Sequence, residues 1–106
     1  MVGRTMSSKS KLLEDMRRAQ LVRLIAGRIL EALAEEPLTL AALKKKVLSD
    51  IPQRGKYMLF NNVLRALMYA GIVEEEMMLC GSRFVPVYAL NEKELQKRWW
   101  LRAGEL

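Results

Sequence analysis

The chain contains no histidine. That removes the side chain most used as a general base near neutral pH, along with the catalytic triads and most zinc sites that depend on it. It contains one cysteine, Cys80, so no disulfide closes within the chain and one copy cannot build a multi-thiolate metal site. A reducing compartment fits best, and the cytoplasm is the expected location. The six glycines form no phosphate-cradling loop. No apolar run approaches the ~20 residues needed to span a bilayer, and the N-terminal stretch lacks the apolar core of a secretory signal. Aromatic residues make up 7% of the chain, too few and too scattered for a platform that stacks single-stranded RNA. These absences argue against an enzyme, a cofactor, a metal site or a membrane protein, and no small-molecule substrate is evident.

What is present is enough for one domain. The chain has 106 residues, of which 51% are apolar. That suits a single core, and a domain of this size gains from pairing with a second copy. Lys and Arg number 18 against 12 Asp and Glu, a net charge of +6. An excess of that sign attracts polyanions.

The basic excess is unevenly spread. Residues 1–36 hold seven basic and five acidic side chains, and residues 37–71 hold six and one. Residues 72–90 hold one and three, and residues 91–106 hold four and three. The segment charges are therefore +2, +5, −2 and +1. Positive charge gathers in the middle of the chain, where phosphate neutralisation would supply affinity for a nucleic acid.

Periodicity predicts the elements. Residues 1–10 are polar, with Gly3 and three serines, and predict a loose arm. From about Ser10 to Glu36 the pattern is helical, with Val22, Ile25, Ile29 and Leu33 on one face. Leu21, Leu24 and Leu30 widen the apolar surface, so the segment is either two helices with a bend or one helix with a second packing face. Pro37 ends it. Thr39 predicts the N-cap of a helix over Leu40–Ser49 with Leu40, Leu43 and Val47 inward, and Lys44, Lys45 and Lys46 facing away. Asp50 to Gly55 reads as a turn. A helix over Lys56–Ala70 places Phe60, Val63, Leu64 and Leu67 on a core face. Met58, Asn61, Asn62, Arg65 and Tyr69 occupy the opposite face. Gly71 sits where a C-capping glycine belongs.

Ile72–Leu79 and Phe84–Leu90 predict a β-hairpin around Cys80 to Arg83, with Pro86 at an edge or facing solvent. Glu74 and Glu76 share a strand face, which reads as an exposed charged surface rather than a catalytic carboxylate pair. Asn91 predicts the cap of a C-terminal helix over residues 91–106, with Leu95 and Trp99 on one face. The fold class is mainly α with a small β-hairpin.

Leu38 to Leu43, the run Phe60 to Val73, and Tyr88 to Leu90 together resemble a winged helix-turn-helix domain of bacterial, archaeal and archaeal-virus transcription regulators. The spacing of Leu64, Leu67, Gly71, Ile72 and Val73 is the best single signal, and the likeness covers about Gln20 to Leu90. The resemblance implies a three-helix core within residues 11–90, a two-stranded wing, and binding of double-stranded DNA with the third helix in the major groove. Asn61 and Asn62 would then face base edges, because an amide can bond adenine N6 and N7 together. Arg65 would read guanine or clamp a phosphate. Gln53, Arg54, Lys56, Tyr57 and Met58 lie at the mouth of that helix. Lys44, Lys45, Lys46 and Arg83 would touch phosphates and set position rather than sequence. Two departures stand out: the wing offers Arg83 as its only cation, and Glu74 to Glu76 run along its first strand.

Readers of this type often bind two half-sites, so a homodimer is expected, built from the broad first segment and the Leu95/Trp99 face. The acidic wing and the two tryptophans suit an alternative role, as a protein-interaction module in a transcription or chromosome-segregation assembly.

Overall fold

The computed structural model describes residues 2–94, with side chains from residue 9 onward. Its elements are α1 (Val2–Glu35), β1 (Leu38–Thr39), α2 (Leu40–Leu48), α3 (Lys56–Tyr69), β2 (Val73–Cys80) and β3 (Arg83–Leu90). The described residues are mainly helical, with a small antiparallel sheet in the strand order β1-β3-β2.

α1 is one continuous helix of 34 residues. It corrects the expectation of a loose arm over residues 1–10, because the backbone is helical from Val2 onward. No proline interrupts residues 2–35, and Met, Lys, Leu and Glu are good helix formers. Once the packed C-terminal half exists, extending it costs little, since only nucleation is expensive.

The core forms where the helices converge. Ile25, Ile29 and Leu33 of α1 meet Leu43 and Val47 of α2, Phe60, Val63 and Leu64 of α3, and Val73 of β2. Ile25, Ile29, Leu43 and Phe60 are wholly excluded from solvent. Burying each such side chain contributes about 1.5–3 kcal/mol. Leu21, Val22 and Ala26 also pack against this cluster, so much of the wide apolar surface of the first segment is spent within the subunit.

Local signals set the element ends. Thr39 Oγ1 accepts from the Ala42 N–H at 3.3 Å, capping α2 as its sequence predicts. Leu38 and Thr39 also pair with Tyr88 and Val87 as a short third strand, which two residues are too few to announce by periodicity. Gly55 opens α3 at φ +79°. Gly71 closes it at φ +78°, with its N–H bonded to Met68 O and that of Ile72 to Leu67 O. Both glycines take a left-handed conformation that a β-carbon would penalise.

The hairpin leaves the body almost at once. Val73 is the one buried residue of β2, whereas β3 buries Val87 and Ala89. This explains the weak alternation of the first strand, which has no core beneath it after its first residue. Pro86 stands opposite Met77, exposed and outside the two β3 residues that β1 pairs with, as its missing N–H requires. Asn91 ties the base together. Its N–H donates to Ile72 O at 2.8 Å, its Nδ2 donates to Glu74 Oε1 at 2.8 Å, and its Oδ1 accepts from the Glu94 N–H at 3.2 Å. Residues 92–94 begin a helical turn behind this cap. The remainder of the expected C-terminal helix, with Leu95, Trp99 and Trp100, lies outside the described residues.

Candidate nucleic-acid interface

The site is built on the free face of α3. Burial of Phe60, Val63 and Leu64 turns the opposite face outward, and Met58, Asn61, Asn62, Arg65 and Tyr69 are all exposed on it. Tyr69 is 86% exposed and Met58 69%. These residues lie three and four apart, so they form one strip along the helix.

Two grooves border that strip, and a third lies at the start of α3. The first runs between α3, the start of α2 and β3, and is lined by Leu40, Asn61, Arg65, Met68, Tyr69 and Tyr88 among others. Partial burial pushes the Tyr88 phenol above its usual range, and the Glu75 carboxylate adds to the shift. The second groove, about 740 Å³, brings Arg17, Arg18 and Gln20 of α1 opposite Gln53, Arg54, Met58 and Asn62. The third joins Lys44, Lys45 and Ser49 to Lys56 and Tyr57. Among the described residues, seven cations line these three grooves and no carboxylate does.

Two of the nearby carboxylates, Asp50 and Glu35, are held by partners. Arg28 of α1 bonds Asp50 through both terminal nitrogens, one of them at 2.9 Å, and also donates to Val47 O at 3.2 Å. The guanidinium holds the Asp50 carboxyl below its ordinary range. Lys46 Nζ donates to Glu35 Oε2 at 2.8 Å, which lowers the Glu35 carboxyl and raises the Lys46 ammonium.

The expected site residues therefore divide. Asn61 and Arg65 line the first groove, Gln53, Arg54, Met58 and Asn62 the second, and Lys44, Lys45 and Tyr57 the third. Lys46 turns away to Glu35. Lys56 is half-buried, and its ammonium donates to Leu48 O at 3.2 Å and Ile51 O at 2.7 Å, with the Tyr57 ring centroid 5.3 Å away. It adds a second donor to the Leu48 carbonyl at the end of α2, which also accepts from the Ile51 N–H at 3.1 Å. Arg83 sits at the hairpin turn and lines none of the three grooves. Arg17 and Arg18 were not expected. The first segment reads as an apolar stripe, and the adjacent arginines one turn before that stripe were the available signal.

No protein-family model matches the chain, and no curated protein matches it in sequence.

Proposed function

We propose that this chain binds double-stranded DNA with sequence preference, as a winged helix-turn-helix protein acting in transcriptional regulation. The observation that carries the reading is the lining of the three grooves around α3 by seven cations and, among the described residues, no carboxylate. A surface of that sign flanking an exposed amide-bearing helix suits a polyanion with readable edges.

The dimensions agree. A helix with its side chains is about 10–12 Å across and the major groove is about 12 Å wide. α3 would lie in the groove as the second helix of a helix-turn-helix, with α2 and the turn before it. Asn61, Asn62 and Arg65 would meet base edges. Arg17, Arg18 and Arg54 on one flank, and Lys44 and Lys45 on the other, would grip the two phosphate ridges. This is a binding role without catalysis.

A second reading, a protein-interaction module, is favoured by the hairpin, whose outer half exposes Met77, Leu79 and Phe84 beside Glu74 to Glu76. A gel shift on random duplex at low salt separates the two. A shifted band that weakens as salt rises supports DNA binding. No shift at any protein concentration that stays soluble rejects it and leaves the second reading.

A further inference from the structure

The same subunit carries two exposed apolar surfaces of opposite charge. The first is on the hairpin. Cross-strand partners share a sheet face, and the register sets Met77 opposite Pro86 and Leu79 opposite Phe84. These four residues alternate with the Met78–Val85 and Cys80–Arg83 pairs, so they stand on one face of the outer hairpin. Met77 and Leu79 are each 61% exposed and Phe84 is 68% exposed. The face is bordered toward the core by Glu75, opposite Tyr88. From 73 to 90 the hairpin carries three carboxylates and one cation.

The second surface is on α1. Residues 9–20 are exposed throughout. Leu12, Leu13 and Met16, each more than half exposed, fall within about 100° of arc on the helix. Lys9 lies within that strip and Arg17 at its edge, while Glu14 and Asp15 fall on the opposite side. Contiguous apolar surface of this kind marks a protein contact in a soluble chain.

We propose that the outer hairpin of one protomer receives the N-terminal half of α1 from a second copy, and that the exchange occurs twice about a two-fold axis. The two surfaces match in length: twelve helical residues span about 18 Å, and five strand residues about 16 Å. They match in charge, because Lys9 would approach Glu75. A two-fold exchange also closes on itself and leaves neither patch uncovered. The inference does not depend on DNA binding.

Sedimentation of the full chain at micromolar concentration tests it. The expected species is twice the 12.2 kDa chain mass. Leu13→Asp and Phe84→Asp, both at exposed positions, each weaken the homodimer roughly a thousandfold, because each substitution removes one interface hot spot from both of its contacts. Mixed together they recover a heterodimer, since one helix-to-hairpin contact is then intact. Lys9→Glu weakens the dimer and Glu75→Lys added to it restores the pair. A wild-type monomer overturns the proposal. So does disruption by only one of the two aspartate variants, which would mean helix on helix or hairpin on hairpin, and so does a mixture that stays monomeric. A gel shift on the same variants reports DNA binding separately.

Discussion

Arg28 on α1 holds Asp50, in the turn between α2 and α3, with both terminal nitrogens of its guanidinium. Asp50 is the one carboxylate between residues 37 and 71. The contact fastens the first helix to the turn that launches α3, and it masks the one negative charge in the most basic part of the chain. A donor from Arg28 to Val47 O adds a third point of attachment. The arginine thus serves both the packing of α1 and the sign of the surface beside α3.

This pair gives stability a defined pH dependence. The folded Asp50 carboxyl titrates below its ordinary 3.8, so the folded state favours its ionised form. That contribution is fully present above the ordinary value and is lost as pH falls through the lower folded value. Thermal melts should show Asp50→Asn less stable than wild type at neutral pH, with the gap closing below about pH 4. A gap that stays constant down to pH 2 would show that the ion pair adds nothing. The effect should be small, because Asp50 is largely solvent-exposed and such pairs are weak.

Salt dependence tests the groove lining. Arg17, Arg18, Arg54, Lys44 and Lys45 amount to about five phosphate contacts, so log affinity for duplex should fall with log salt at a slope of about −4.5. Fluorescence anisotropy should show the slope reduced by about 0.9 in Arg17→Ala or Arg18→Ala, and unchanged in Lys46→Ala, whose ammonium is occupied by Glu35. Lys45→Ala should weaken all sequences alike, while Asn62→Ala should alter sequence preference. A flat salt response would remove the electrostatic basis of the proposed function.

Two glycines should respond in opposite directions. Gly27 lies within α1, and an added β-carbon there would meet nothing within 4 Å. Gly27→Ala should stabilise the fold by about 0.5–1 kcal/mol through helix propensity. Gly55 is equally unobstructed but has φ +79°, so Gly55→Ala should cost about 1–2 kcal/mol from backbone conformation alone. Urea denaturation of the two variants measures both. Equal effects would contradict the left-handed turn before α3.

Phe60 lies at the centre of the core with no exposed surface. Phe60→Ala should cost about 3–5 kcal/mol. For a domain whose total stability is about 5–15 kcal/mol, that is a large share, and denaturant unfolding should place the midpoint far below wild type. A loss under 1 kcal/mol would mean that α3 is not anchored there.

The sequence reading succeeded where the signal is local. Thr39, Gly71 and Asn91 act at element ends as their side chains or backbone freedom predict, and the period of Phe60, Val63 and Leu64 marks the buried face of α3. It fell short where neighbours in sequence diverge in space. Consecutive residues on a helix point about 100° apart, so three adjacent lysines cannot serve one groove: Lys44 and Lys45 line it, and Lys46 reaches Glu35. Lys56 looked like a surface cation, but its ammonium ends on two backbone carbonyls that no sequence pattern reveals. Arg17 and Arg18 become relevant only because α1 is long enough to carry them past the start of α3. The strand Leu38–Thr39 exists because β3 offers it a partner, and two residues alone have no period.

The unbroken run of α1 makes it a phase-locked shaft. Its core-facing side chains and its outlying arginines share one helical screw, so neither can turn without the other. One residue inserted between Gln20 and Leu21 would rotate everything before it by about 100° and advance it about 1.5 Å. The outlying arginines would swing away from α3 while the hydrophobic packing stayed whole, which makes the number of residues in this helix, as much as their identity, part of what the surface is.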